Sequence, residues 1–153
     1  MKTTGDQSLV KKINKSIVLE TIKNNFPLSR SQISEMTGLN KGTVSSLVNE
    51  LIAEDLVYEV GPGQSNGGRR PVMLLFNKVA GYAIGVDLGV NYILTVLTNL
   101  RGEIVKEHMT SLNQTSFAFI FNTLKQSIQT MIDHTPPSPY GIVGIGIGIR
   151  YNR

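Results

Sequence analysis

The chain contains no cysteine and no tryptophan, and only 17% of its 153 residues are charged. Without cysteine it can form neither a disulfide framework nor a thiolate metal site. No apolar run approaches the roughly 20 residues needed to span a bilayer. The start, Met1-Lys2-Thr3-Thr4-Gly5-Asp6, lacks the apolar stretch of a secretory leader, so a cytoplasmic protein with no membrane partner is expected. Nucleotide loops are missing too. Neither the glycines between positions 61 and 68 nor the run Gly141-Ile142-Val143-Gly144-Ile145-Gly146-Ile147-Gly148 fits G-x-G-x-x-G, and no Gly-Lys-Ser or Gly-Lys-Thr completes a phosphate loop. A Rossmann or Walker site is therefore rejected, and no cofactor, metal or catalytic residue is assigned. What remains is globular in composition, 41% hydrophobic, with room for one ordinary domain or two small ones.

The charge is uneven. Through Ala80 there are ten Lys and Arg against seven Asp and Glu, and thereafter five against four. An isoelectric point near 9.4 suits a polyanionic partner, although a net charge of +4 alone does not separate DNA from a membrane surface.

The sharpest local signals lie between Pro27 and Pro71. In Leu28-Ser29-Arg30-Ser31-Gln32-Ile33, Ser29 is placed to cap a helix and Gln32 to complete a capping box, with Leu28 stapled onto Ile33. Thr37-Gly38-Leu39-Asn40 then supplies a tight turn, with Gly38 free to take positive φ, Asn40 as the next N-cap and Leu39 placed to staple onto Val44. Two capped helices across a short glycine turn match the DNA-reading helix-turn-helix. The second helix has one apolar stripe, Val44, Leu47, Val48, Leu51 and Ile52. Its other side is small and polar: Gly42, Thr43, Ser45, Ser46 and Asn49, with Lys41 at the start. An ordinary solvated helix carries more Glu and Lys, whereas this surface admits close approach to a major groove. Thr43, Ser45, Ser46 and Asn49 are the candidate base readers, and Arg30, Ser31 and Lys41 the candidate phosphate contacts.

Leu56-Val57-Tyr58-Glu59-Val60 and Val72-Met73-Leu74-Leu75-Phe76 read as strands joined by a glycine-rich tip, a wing beside the helices. Arg69 and Arg70, between Gly68 and Pro71, are placed to enter a narrow minor groove. A first helix over residues 7–25 completes a three-helix core, with Leu9, Ile13 and Ile17 on one row and Val10, Val18 and Ile22 widening it. Lys11, Lys12 and Lys15 along it read first as a solvated face, with phosphate contact as the alternative.

From Gly81 the period changes. Strands are expected over residues 82–89, 92–98 and 103–107, a helix over 116–133 stopped by Pro136-Pro137, and a strand over 141–149. In that last strand glycines 144, 146 and 148 alternate with isoleucines 145, 147 and 149, the pattern of a buried strand packed closely on its bare side.

Several stretches together carry a family resemblance: Asp6-Gln7-Ser8-Leu9-Val10-Lys11-Lys12-Ile13-Asn14, Leu28-Ser29-Arg30-Ser31, Thr43-Val44-Ser45-Ser46-Leu47-Val48-Asn49-Glu50-Leu51, Gly67-Gly68-Arg69-Arg70-Pro71 and Gly85-Val86-Asp87-Leu88-Gly89-Val90-Asn91. The chain resembles the N-terminal part of transcriptional regulators of the ROK family (repressor, open reading frame, kinase). The resemblance implies a winged helix-turn-helix over residues 1–78, followed by an incomplete α/β ribonuclease-H-like (actin- or sugar-kinase-like) half domain over 79–153. It implies a homodimeric repressor on double-stranded operator DNA near sugar-utilisation genes, released when a sugar effector, xylose, binds the second domain of the full-length protein. By the same resemblance Asp87-Leu88-Gly89 corresponds to the first phosphate loop of the kinases. Those continue with a second Gly and a Thr, where Val90-Asn91 stand here, so nucleotide binding is not carried over. The family's catalytic Asp, sugar-binding residues and Cys and His zinc cluster have no counterpart before Arg153. Arg150-Tyr151 replace the family's Pro-Gly, so a chain cut short is expected, with an unpaired edge prone to disorder or self-association. A sugar kinase of the same family and a winged-helix protein-interaction module are the competing readings.

Overall fold

The computed structural model describes residues 5–62 and 70–150. They fall into two compact units, Met1–Asn77 and Lys78–Arg153.

The first unit runs α1 (Gly5–Asn25), β1 (Leu28–Ser29), α2 (Arg30–Thr37), α3 (Lys41–Ala53), β2 (Val57–Pro62) and β3 (Val72–Phe76). Local chemistry sets the helix starts. Ser29 Oγ accepts from the Gln32 amide at 3.3 Å while Gln32 Oε1 accepts from the Ser29 amide at 2.9 Å, a complete capping box. Gly38 ends α2 at φ 72°, a conformation glycine adopts without strain, and its amide donates to the Ser34 carbonyl. Ser34 Oγ then donates to the Leu39 carbonyl at 2.6 Å, and Asn40 Oδ1 caps α3 by accepting from the Thr43 amide at 2.8 Å.

β1 is a strand that the sequence expectations omitted. Leu28 pairs with Leu74 and Ser29 with Met73, so the sheet runs β1-β3-β2, antiparallel throughout. Two residues are too few for a period, and the capping signal at Ser29 claims the same positions.

The core joins Val18 and Ile22 of α1, Ile33 of α2, Val44, Leu47, Val48 and Leu51 of α3, and Leu28, Val57 and Leu74 of the sheet. Here the expected stripe of α1 needs correction, because Leu9, Val10, Ile13 and Ile17 are all exposed. The row that packs is Lys11, Lys15, Val18 and Ile22, at i, i+4, i+7 and i+11. Its two lysines meet acids on α3: Lys11 Nζ lies 2.7 Å from Glu50, and Lys15 Nζ lies 2.6 Å from Glu54 and 3.5 Å from Glu50. Opposite charges thus join the first half of α1 to α3, while Val18 and Ile22 bury the second half.

The second unit runs β4 (Tyr82–Leu88), β5 (Tyr92–Asn99), β6 (Ile104–Ser111), α4 (Phe117–Asp133) and β7 (Ile142–Ile149). β4, β5 and β6 form an antiparallel meander, and α4 carries the chain back so that β7 pairs parallel to β4, giving the order β6-β5-β4-β7. Tyr82, Ile84, Val86, Ile93 and Leu97 bury one face of the sheet against Met131 of α4. β6 extends to Ser111, past the expected 107, because its alternation fades where Glu107, His108 and Met109 are all exposed.

The expectation of a buried β7 is overturned. α4 packs on β4, β5 and β6, and β7 is an edge strand with Val143, Ile145, Ile147 and Ile149 exposed. Beside Gly144 and Gly146 there is open space. Alternation states which residues share a face, and no covering partner for either face occurs among the described residues.

At the end of β4, Asp87 is held by its own chain. Tyr92 Oη donates to Oδ2 at 2.9 Å, and the Arg150 guanidinium lies 3.1 Å from the same oxygen. The Tyr92 hydrogen bond is the largest influence and holds the Asp87 carboxyl below the usual carboxylate range against the opposing effect of burial, with Arg150 adding to the depression. Gly89 completes the clasp: its amide donates to the Tyr92 carbonyl at 2.9 Å, and a Cβ there would run into the Tyr92 ring. Among the described residues no helix is long and apolar enough to cross a membrane.

Two outcomes follow from these local ties. Ser29→Ala is expected to cost about 1 kcal/mol in urea unfolding at an unchanged slope; a midpoint equal to that of the unsubstituted chain would remove the capping box from the account. Because the Asp87 carboxyl is depressed in the folded state, its ties contribute stability above the ordinary carboxylate value, and that contribution is lost as pH falls through the lowered one. Tyr92→Phe removes the largest cause, so the carboxyl carbon resonance of Asp87 will titrate at higher pH than in the unsubstituted protein; an unmoved midpoint contradicts this.

Candidate nucleic-acid interface

α3 sorts its residues into a buried side and a bare one. Val44, Leu47, Val48 and Leu51 face the core, while Gly42, Ser46, Asn49 and Ala53 follow one another at i, i+4, i+7 and i+11 as an exposed row. No side chain in that row is longer than asparagine. A helix so lightly covered lets its backbone approach another surface closely, and it carries a hydroxyl and an amide to meet polar edges.

The remaining candidates of α3 lie on its flanks. Thr43 is half-buried and lines a cleft with Gln7, Val10, Lys11, Asn14 and Leu47, on the α1 side. Ser45 is half-buried, roughly 160° round the helix from Thr43 at 100° per residue, and Lys41 is exposed at the first turn beside it. Of the four sequence-derived base readers, Ser46 and Asn49 therefore stand centrally, while Thr43 and Ser45 border the row on either side.

A second group gathers beside it. Arg30 and Ser31, at the start of α2, line a cleft of about 280 Å³ together with Ser29, Arg70, Pro71 and Val72. The antiparallel pairing of β1 with β3 brings these distant segments together, since Ser29 lies opposite Met73. Arg69 lies outside the described residues. Arg70 is exposed. Two guanidinium groups and a hydroxyl around one cleft form an arrangement that accepts phosphate oxygens.

Arg30 also has partners within the protein. One terminal nitrogen donates to Asn49 Oδ1 at 3.1 Å and the other lies 2.9 Å from Glu59 Oε1 on β2. This triad was not legible from spacing, because the three residues are 19 and 10 positions apart on three elements and meet only through the fold. The lysine contacts of α1 did have a readable signal: Lys11 and Lys15 are four apart, and so are Glu50 and Glu54, matching rows on two helices. The hydrogen bond from Lys11 is the main reason Glu50 is held below the usual carboxylate range. While paired, neither lysine is free for a phosphate, which favours the structural role over the electrostatic one.

In the second unit the position that the resemblance aligned with a phosphate loop is Asp87. The Asp87 oxygens are taken by Tyr92 and Arg150, and among the described residues no cluster of three or more His, Asp or Glu could hold a metal ion.

Comparison with known proteins agrees with this division. Residues 12–69 match the MarR family and residues 83–150 match the ROK family. The xylose repressor of Bacillus spizizenii is 53% identical over 143 residues, covering 94% of this chain and 37% of the relative. A putative xylose repressor of a Caldicellulosiruptor species is 45% identical over 150 residues, and the DNA-binding transcriptional dual regulator NagC of Escherichia coli is 30% identical over 129. The chain thus spans a little over a third of the length of the curated relatives it matches. Among solved structures, a ROK family transcriptional regulator described as a homolog of the E. coli MLC protein superposes with a TM-score of 0.66 at 22% identity, covering 92% of this chain and 36% of that one, and shares the fold. A helix-turn-helix head of the MarR type joined to a segment that matches the ROK model, in the order seen here, leaves one assignment: the chain belongs to the ROK family.

Proposed function

We propose that the first unit binds double-stranded operator DNA and that the whole protein is a sequence-specific repressor of sugar-utilisation genes. The observation that carries this reading is the exposed row Gly42, Ser46 and Asn49 on a helix fixed by two capped starts, set beside the cleft of Arg30, Ser31 and Arg70. In this reading the row enters a major groove, Ser46 and Asn49 meet base edges, and Thr43 and Ser45 reach the sugars and bases at its margins. Arg70, with Arg69, follows the wing into the neighbouring minor groove, and Ser31 and Lys41 hold phosphates.

The names of the relatives support the regulatory part. Repressors of xylose genes stand among them, so xylose is the inducer we propose for the full-length protein, acting through the ROK segment to release the DNA. Two heads on a two-fold operator, in a cytoplasmic homodimer, complete the proposal. A kinase reading finds no support in the geometry, since Asp87 is tied to Tyr92 and Arg150. The protein is read as a regulator, not an enzyme.

Selection of bound sites from a random duplex library tests this directly. A defined motif is expected, bound with steep salt dependence. Asn49→Ala is expected to weaken the selected duplex about 5- to 150-fold, the roughly 1–3 kcal/mol of a base contact, with little change on random duplex. Arg70→Ala is expected to weaken both and to lower the salt slope by about one. If the chain prefers no duplex over heparin, the proposal fails.

A further inference from the structure

The first half of α1 reverses the usual order of an amphipathic helix. Lys11 and Lys15 meet acids on α3, while Leu9, Val10, Ile13 and Ile17 keep between 42% and 57% of their surface exposed. At 100° per residue these four centre roughly 165° round the helix from the two lysines, so the apolar stripe lies on the side of α1 away from α3. Val10 also lines the cleft of about 280 Å³ between α1 and α3, beside Leu47, which carries the apolar surface round the flank of the helix. A stripe of this kind, rimmed by polar side chains, marks a surface that another molecule covers.

The charges beside the stripe select the occupant. Lys12 and Glu20 are both exposed on one flank, eight residues apart, with Glu20 3.3 Å from Lys23. The other flank holds the uncharged Asn14 and Thr21. Two copies laid parallel would set one flank against the opposite one, charges against amide and hydroxyl, with the two Glu20 side chains at the same level. A two-fold axis beside Ser16 lays them antiparallel instead, so that like flank meets like flank with its levels reversed. Lys12 then stands level with the partner's Glu20, twice by symmetry, and Ile13 and Ile17 interleave with the partner's Ile17 and Ile13. The helix is complementary to itself in this orientation.

We infer that α1 is a contact between two copies of this chain: Leu9, Val10, Ile13 and Ile17 pack in an antiparallel two-fold pair, closed at each end by Lys12 and the partner's Glu20. The inference deepens the homodimer of the reading above by giving its DNA-binding heads a surface on which to meet, and the pairing leaves α3 on the far side of α1. Four half-exposed side chains fall short of the roughly 800 Å² per partner of a standard interface, so the pair is weak alone and gains strength when two heads share one duplex.

Sedimentation equilibrium of the full chain, without DNA, tests the contact separately from DNA binding. A reversible monomer–dimer equilibrium is expected at roughly 10 µM to 1 mM. Ile13→Glu should weaken it about tenfold or more, and circular dichroism should show an unchanged fold, since Ile13 is exposed. Lys12→Glu and Glu20→Lys should each weaken it about threefold or more, because symmetry counts each reversal twice, and the two together should restore it to within about twofold. Ile147→Lys, on the exposed edge strand β7, should leave it unchanged. A chain that stays monomeric throughout this range overturns the inference and leaves the stripe to a different macromolecule. Association weakened by Ile147→Lys and not by Ile13→Glu assigns the contact to the sheet edge and overturns it as well. Charge reversals that add rather than compensate would overturn the antiparallel pairing. Selection of a duplex motif by a chain that fails these tests would leave the DNA-binding reading in place, whereas a dimer that selects no duplex would keep the contact and lose that reading.

Discussion

The reciprocal hydrogen bonds between Ser29 and Gln32 fix more of the first unit than any other pair. Ser29 is at once the cap of α2 and the paired residue of β1, so its extended backbone serves two elements. The capping box sets where α2 begins, and the pairing with Met73 sets where that beginning lies on the sheet. Arg30 follows in the chain, and its reach to both Glu59 and Asn49 depends on that placement. Burial adds to the constraint, because Ser29 is enclosed and its polar groups must be satisfied from inside the protein.

Much of this was legible in the sequence because it is local. Caps, the positive-φ glycine at 38 and the apolar row of α3 are determined by residues within four positions of one another, the range over which helix chemistry acts. The two strands of the wing were readable as short apolar runs on either side of a glycine-rich tip, and the meander of the second unit from strand periodicity. Failures occurred where the answer depends on what lies opposite. Leu9, Ile13 and Ile17 share a face, yet their apolar spacing cannot say that this face stays exposed; the competing signal, Lys11 and Lys15 spaced like Glu50 and Glu54, lay on the neighbouring row. Gly144, Gly146 and Gly148 also share a face, and the same limit applies to what, if anything, rests against them.

The candidate interface divides along the same line. Ser46 and Asn49 could be assigned outward from the helical period alone, since they lie opposite the centre of the apolar stripe. Thr43 and Ser45 are at the borders, where 100° per residue leaves exposure to the neighbouring elements, and α1 half-covers Thr43. The grouping of Arg30 and Ser31 with Arg70 required β1, a two-residue strand below the resolution of any pattern. Glu59 had no signal at all, since a single acid on a half-exposed strand is ordinary until a cation from another element is found beside it.

The row Gly42, Ser46, Asn49 and Ala53 has a thermodynamic consequence. Its side chains have few rotatable bonds between them, and one of the two with polar groups is already tethered by Arg30. A lysine- or arginine-rich surface surrenders roughly 2 kcal/mol of rotamer freedom for each long side chain it immobilises. This surface has little such freedom to lose, so an association made through it surrenders little rotamer entropy and depends on fit across a short distance.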